Sequence, residues 1–222
     1  EIMPSLVGSE MCIRDRFGKR VSELYIDPVS GVIIRNALRW KPAYLTDLSL
    51  LHMIAHTPDM APKLRPYTRE LNEIALFMEE HKEEFLTEVP DEWTDRIAYE
   101  EFLGEVKTAM VLKAWIEETS EDEMIERFRV QPGDLYRTIK NAKWLLYATH
   151  ELALLFNNKQ VLPLTLELME RISKGVKKEL LPIVKLEGIG RIRGRILYNA
   201  GFKTREDITH VPIEDLVSLP LR

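Results

Sequence analysis

Two positions of the 222-residue chain, Arg137 and Trp144, have side chains whose types and spacing suit one task. A guanidinium and an indole are both flat, and seven residues of helix separate them by roughly 10.5 Å. Flat faces of this kind stack on nucleobases, at about 1–3 kcal/mol per base and without sequence preference. The spacing suits about three stacked nucleotides. With Leu135 as origin and about 100° per residue, Arg137 falls near ~200° and Trp144 near ~180°. Both then lie opposite a stripe of Leu135, Ile139, Ala142, Leu146, Thr149 and Ala153. The competing reading is a central helix packed on two sides, which Leu155, also near ~200°, supports.

A second set lies in Lys185 to Phe202, KLEGIGRIRGRILYNAGF. Gly188-Ile189-Gly190 permits a tight turn, and Arg191, Arg193, Gly194 and Arg195 open the helix that follows. This is a helix-hairpin-helix pattern. The free N–H groups at a helix start and the positive end of its dipole face an anion, and arginines add charge-assisted bonds. Such an element grips the nucleic-acid backbone and reads no bases. Gly188, Ile189, Gly190, Arg191, Arg193 and Arg195 are therefore the candidate phosphate contacts. No strand precedes the glycines and no third glycine stands at the position the pattern requires, which Arg193 occupies, so a dinucleotide fold is excluded.

Other chemistry is missing from the sequence. There is no G-x-x-x-x-G-K-[ST] phosphate loop, so these residues do not hydrolyse nucleotide by themselves. His52 and His56 stand four apart on one predicted helix, but no glutamate follows His52 as a zinc-peptidase pattern requires. No E-x-x-H accompanies the carboxylates, which disfavours a di-iron bundle. We therefore expect no catalytic residue, no metal and no resident cofactor. Cys12 is the single cysteine, so an internal disulfide or a zinc cluster drops out, in keeping with a reducing, cytoplasmic setting.

The chain carries 31 Lys plus Arg against 36 Asp plus Glu, a net charge of -5 that by itself argues against binding phosphates. The total conceals a segregation. Glu70 to Arg129 holds 19 acidic and 6 basic residues, net -13, so the remainder carries +8. Lys185 to Arg205 alone is net +5. With 45% hydrophobic and 30% charged residues the composition is that of a globular protein, and no apolar run reaches the roughly 18 residues of a spanning helix.

The elements that position these residues are nearly all helical. Phe17 to Ile26 alternates in part and reads as a strand closed by Asp27-Pro28. Helical patterns follow at Val29–Trp40, Thr46–His56, Thr68–Phe85, Thr94–Glu118, Glu121–Phe128, Asp134–Asn157 and Leu164–Ser173, with Pro58, Pro90, Pro132 and Pro163 as stops between them. Ser120-Glu121-Asp122-Glu123 is a capping-box pattern, Asp134 an expected N-cap, and Thr204-Arg205-Glu206-Asp207 a cap for the next helix. Another helix is expected from Pro212 to Leu219. The fold class is all-α: a helical bundle, then a small helix-hairpin-helix domain, with one strand at the start.

The strand ending Leu24-Tyr25-Ile26-Asp27-Pro28, the block Glu105-Val106-Lys107-Thr108-Ala109, the run from Pro132-Gly133-Asp134-Leu135 to Trp144-Leu145, and LEGIGRIRGRILYNAGF together resemble the C-terminal part of archaeal superfamily 2 repair helicases of the Hjm type, over residues 17 to 220. In that family two motor domains precede a winged helix, a helical ratchet domain and a small helix-loop-helix domain. The resemblance implies the end of a winged helix at residues 17–28, a ratchet domain at 29–175 and a shortened helix-hairpin-helix domain at 176–222. It implies that Arg137 and Trp144 stack on a translocating single strand and that Arg191, Arg193 and Arg195 hold the emerging strand. The expected partners are single-stranded or forked DNA and the motor domains of the same parent, a monomer with no membrane association. ATP and magnesium are expected of that parent, a 3'–5' DNA helicase of fork repair and recombination. The rival readings are a helical adaptor whose acidic surface binds a basic protein, and the same region of a related RNA helicase. Residues 1–16 show no periodicity, and SLVGSEMCIRDR resembles a translated sequencing adapter, a non-native leader; the alternative is an ordinary disordered N-terminus.

Overall fold

The computed structural model describes residues 16–39, 45–210 and 212. Residues 16–23 are helical (α1), followed by α2 (Pro28–Arg39), α3 (Asp47–His56), α4 (Leu71–Glu80), α5 (Arg96–Ile116), α6 (Glu121–Phe128), α7 (Pro132–Leu155), α8 (Val161–Lys174), α9 (Leu181–Val184), α10 (Arg191–Asn199) and α11 (Arg205–Thr209). Short 3₁₀ turns lie at Pro58–Met60, Thr68–Glu70, Lys82–Glu84 and Lys178–Leu180. Among the described residues there is no strand. Most of the expected leader, the end of the first expected helix at Trp40 and nearly all of the helix expected from Pro212 lie outside the described residues.

The expected strand at Phe17 to Ile26 is corrected to a helix. Phe17, Val21 and Leu24 recur at i, i+4 and i+7, a helical period, and Val21 and Leu24 are buried while Lys19, Ser22 and Glu23 are exposed. The partial alternation was carried by Tyr25 and Ile26, which lie beyond the last helical turn. Two prolines read as stops are helix starts. Pro132 occupies the first turn of α7, after Gln131 as N-cap, and Pro163 lies in the first turn of α8. A first-turn residue has no intrahelical acceptor for its N–H, so proline costs nothing there. Asp134 consequently sits inside α7 and is not its cap. Ser120 caps α6 through the Glu123 amide, and Thr204 and Asp207 form a reciprocal capping box on α11.

Three apolar clusters organise the chain. The largest joins α2, α3, α7 and α8, with Leu50, Leu51, Ile54, Leu145, Leu146 and Leu168 at its centre. α3 is buried from Leu48 to Ala55 without a solvent face, which only a central helix tolerates. The second cluster joins α4, α5 and α6 around Ile74, Phe102, Val106 and Met124. The third is confined to Val176, Leu180, Leu181, Ile183, Val184 and Leu197.

Between the two 3₁₀ turns that separate α3 from α4 the chain runs without regular structure, and α5 holds it with polar side chains turned inward. The buried Lys107 ammonium donates to the Glu70 carboxylate at 2.7 Å and to the Arg65 carbonyl at 3.0 Å, and lies 4.8 Å from the Tyr67 ring centroid. Glu105 accepts from Lys63 and pairs with His56 Nδ1 at 2.7 Å. Burial pushes the Glu105 carboxyl up, but the bonds from His56 and Lys63 outweigh it and hold the group below its ordinary range. Thr108 accepts from the Leu64 amide and donates to Gly104. An irregular segment whose backbone groups would otherwise go unpaired is thereby satisfied.

His52 is the contrasting case. Its ring is fully buried against Phe85 (4.5 Å) and Phe102 (5.0 Å), and neither nitrogen has a hydrogen-bond partner. Burial lowers its pKa to about 4. The unfolded chain binds a proton there near pH 6.5, so stability is complete above that pH and falls as pH drops toward about 4. We expect a loss of up to about 3 kcal/mol over this window. Glu105 and the other carboxylates held low act only below about 4.5. Urea melts of His52→Leu should therefore lose the pH dependence between 6.5 and 4.5. Lys107→Met strands a buried Glu70 and should cost about 3–5 kcal/mol, and adding Glu70→Gln should restore most of it.

Candidate nucleic-acid interface

α7 buries more of its surface than the expected stripe. Besides Leu135, Ala142, Leu146, Thr149 and Ala153, the residues Thr138, Leu145, Ala148 and Leu152 are buried, while Ile139 is half-buried. The added positions fall between about 220° and 300° on the same wheel, so the helix is packed on two adjoining sides. Arg137 and Trp144 border this arc, both half-buried, on one side of the helix.

Trp144 is anchored. Its indole Nε1 donates to the Leu24 carbonyl at 3.1 Å, a carbonyl left without an intrahelical partner where α1 ends. Tyr25 follows with φ 56° and turns the chain toward α2. The N-terminal segment thus meets α7 through the end of a helix. An Arg20–Glu151 ion pair at 3.6 Å joins the same two helices. Arg137 pairs with Asp134 at 3.1 Å with both side chains partly exposed, an interaction worth about 0–1 kcal/mol that a ligand readily replaces.

The hairpin is formed by α9, the loop Lys185 to Gly190, and α10. Gly188 adopts φ 78°, the left-handed region open to glycine, and Gly190 is the N-cap of α10 with no side-chain cap. Gly188, Gly190 and Arg193 are exposed, and Ile189 is half-buried against the third cluster. Gly194 faces Val184 so closely that a methyl carbon there would lie 2.9 Å from its Cγ1, which fixes how α9 and α10 cross.

The three arginines differ in what they touch. Arg193 donates to the Gly188 carbonyl at 3.0 Å. Arg191 lies over Trp115, 4.4 Å from the ring centroid, with one buried guanidinium nitrogen unpartnered. Arg195 donates twice to Glu118, at 2.7 Å each, and once to Glu179 at 2.9 Å. Burial raises the Glu118 carboxyl, but the Arg195 bonds and the Lys177 amide outweigh it and hold the group low. Glu118, and then Glu179, push Arg195 further up. Trp115 also donates to the Ile172 carbonyl at 2.8 Å and covers Gly175, where φ is 65° and a methyl carbon would lie 2.5 Å from the ring. The end of α5 therefore grips the end of α8 and the hairpin together. Sequence reasoning missed Trp115 and Glu118, since neither belongs to a motif; the long apolar pattern of α5 ending in a tryptophan was the available signal.

Of the other candidate ligands, His52 has no polar partner and His56 is committed to Glu105. Among the described residues no group of three metal-binding side chains converges, and no helix is long and apolar enough to cross a membrane.

The chain has counterparts among known proteins. Residues 48–175, more than half of the chain, match the family described as archaeal helicase, domain 4, and the chain belongs to that family. It is similar to three proteins named ATP-dependent DNA helicase Hel308. It is 39% identical over 204 residues to that of Thermococcus kodakarensis, 35% over 205 to that of Methanocella arvoryzae and 36% over 206 to that of Pyrococcus horikoshii. Each match covers 91% of this chain but 18%, 27% and 28% of the respective relative.

Arg195→Ala leaves Glu118 half-buried with its charge unmatched, and we expect the hairpin to loosen from α5 by about 1–3 kcal/mol. Limited trypsin cleavage at Lys174, Lys177 and Lys178 should accelerate while the helical content stays constant. Unchanged cleavage would mean that the other contacts, Arg191 on Trp115 and the third apolar cluster, hold the hairpin without the Arg195–Glu118 pair.

Proposed function

We propose that this chain is the single-strand DNA-binding ratchet and accessory region of an ATP-dependent 3'–5' DNA helicase acting at replication forks and in recombination. The carrying observation is the alignment of Arg137 and Trp144 on one half-exposed side of α7. The names of the similar proteins and the family membership support the reading. Arg137 and Trp144 stack on successive bases, so the strand is held without regard to sequence. Gly188, Ile189 and Gly190 offer the amides at the start of α10 to a phosphate, with Arg191, Arg193 and Arg195 on the same helix. Arg191 and Arg195 reach that phosphate by exchanging Trp115 and Glu118 for it. ATP and magnesium act in motor domains of the parent protein, which these residues do not include.

The test is fluorescence anisotropy of a labelled 12-nucleotide oligo-dT at low salt. Trp144→Ala should weaken binding about 5- to 150-fold. Trp144→Phe, which keeps an aromatic face and loses only the bond to Leu24, should retain most of the affinity. Equal affinities for all three proteins, with circular dichroism unchanged, would sink the stacking role. Competition with a matched RNA strand distinguishes a DNA from an RNA helicase, because stacking is blind to the 2'-hydroxyl.

One observation favours the adaptor reading. Trp93 is 90% exposed on a turn that Asp91 fixes by accepting from the Trp93 and Thr94 amides, within the acidic segment. An exposed indole among carboxylates suits a basic protein surface. In that case affinity for such a surface depends on Trp93, and oligo-dT does not bind.

A further inference from the structure

The solvent face of α7 carries a set of residues that no motif drew attention to. Tyr136, Lys140, Lys143 and Tyr147 are all exposed, the tyrosines at 71% and 49%. They follow at i, i+4, i+7 and i+11, within about 60° of one another on the helix surface. An aromatic therefore stands at each end and two ammonium groups between. Lys140 adjoins Trp144 on the helix surface, about 40° away. The stripe and the Arg137–Trp144 side form one continuous surface.

The charge of this surface is one-sided. Lys143 Nζ lies 3.4 Å from the Ser173 hydroxyl, and neither lysine is paired with a carboxylate among the described residues. The two carboxylates that α7 does carry near its exposed sides are engaged: Asp134 with Arg137 and Glu151 with Arg20. Exposed tyrosine rings are expensive to leave in water and find use where a flat apolar face meets them. Two cations flanked by rings fit a polyanion whose bases are free to turn outward, a single strand, and do not fit the paired bases of a duplex.

We infer that Tyr136, Lys140, Lys143 and Tyr147 form a second line of the single-strand DNA track, with the lysines on phosphates and the tyrosines under bases. This rests on the proposed role of α7. The line spans roughly 16.5 Å of helix, the length of about five nucleotides at roughly 3.4 Å each. The lysines set much of the salt dependence, and the tyrosines hold bases on either side of the pair gripped by Arg137 and Trp144.

The experiment is the oligo-dT titration repeated over a range of salt with the full chain. Lys140→Ala combined with Lys143→Ala should reduce the slope of log affinity against log salt by about 1.4, the share of two phosphates on a single strand. Tyr136→Ala and Tyr147→Ala should each weaken binding about fivefold or more with the slope unchanged. All four side chains lie on the surface, so melting curves should match the parent chain and confirm folding. Wild-type slope and affinity in the lysine variant, with Trp144→Ala still impaired, would overturn the second line and leave the proposed function standing. Loss of binding in the stripe variants with Trp144→Ala unaffected would support the stripe and remove the Arg137–Trp144 role. No binding by the unsubstituted chain would remove both.

Discussion

The buried Lys107–Glu70 pair and its neighbours Glu105 and Thr108 fix the arrangement on which the rest depends. Residues 61–67, the irregular stretch between α3 and α4, cannot supply all of their own hydrogen bonds, and α5 supplies them from its interior face. Charges placed there are stable only with partners, so the register of α5 against the loop is set to within one residue. Once α5 is set, α3 packs on it, and α7 packs on α3 in turn. The position of Arg137 and Trp144 in the bundle thus depends on salt links and hydrogen bonds several helices away as well as on the direct Trp144–Leu24 bond to the end of α1.

That dependence explains what could be read from the sequence. The helices of the bundle were legible because their apolar residues repeat at the helical period and helix starts carry Thr46 and Ser120 as caps, as Thr204 does for α11 beyond the bundle. Arg137, Trp144 and the Gly188-Ile189-Gly190 turn were legible as types at a spacing. The nature of residues 16–23 was not, because a short segment with two adjacent apolar residues at its end satisfies both periods, and only packing against α2 and α7 decides between them. The partners of Arg191 and Arg195 were illegible for a different reason. They come from Trp115 and Glu118, more than seventy residues earlier, and no local pattern records such a pairing.

α5 therefore serves two ends of the molecule. Its middle holds the loop before α4, and its C-terminal end holds α8 and the hairpin through Trp115 and, just past the helix, Glu118. Substitutions at either end of one helix are then expected to be felt at the other only through rigid-body movement of α5, since its 21 residues contain no proline to absorb a bend.

The segregation of charge has a consequence before any contact is made. The acidic segment comprises α4, α5 and α6, which share one apolar cluster, and the stretches between them, while the lysines and arginines of α7 and α10 belong elsewhere. Such a distribution is a large permanent dipole. In the field of a polyanion it experiences a torque, so the chain is turned basic side forward once it comes within about a Debye length, before any contact forms. Raising the salt removes that orientation first, and encounters then begin from random angles even where every residue of the interface is intact.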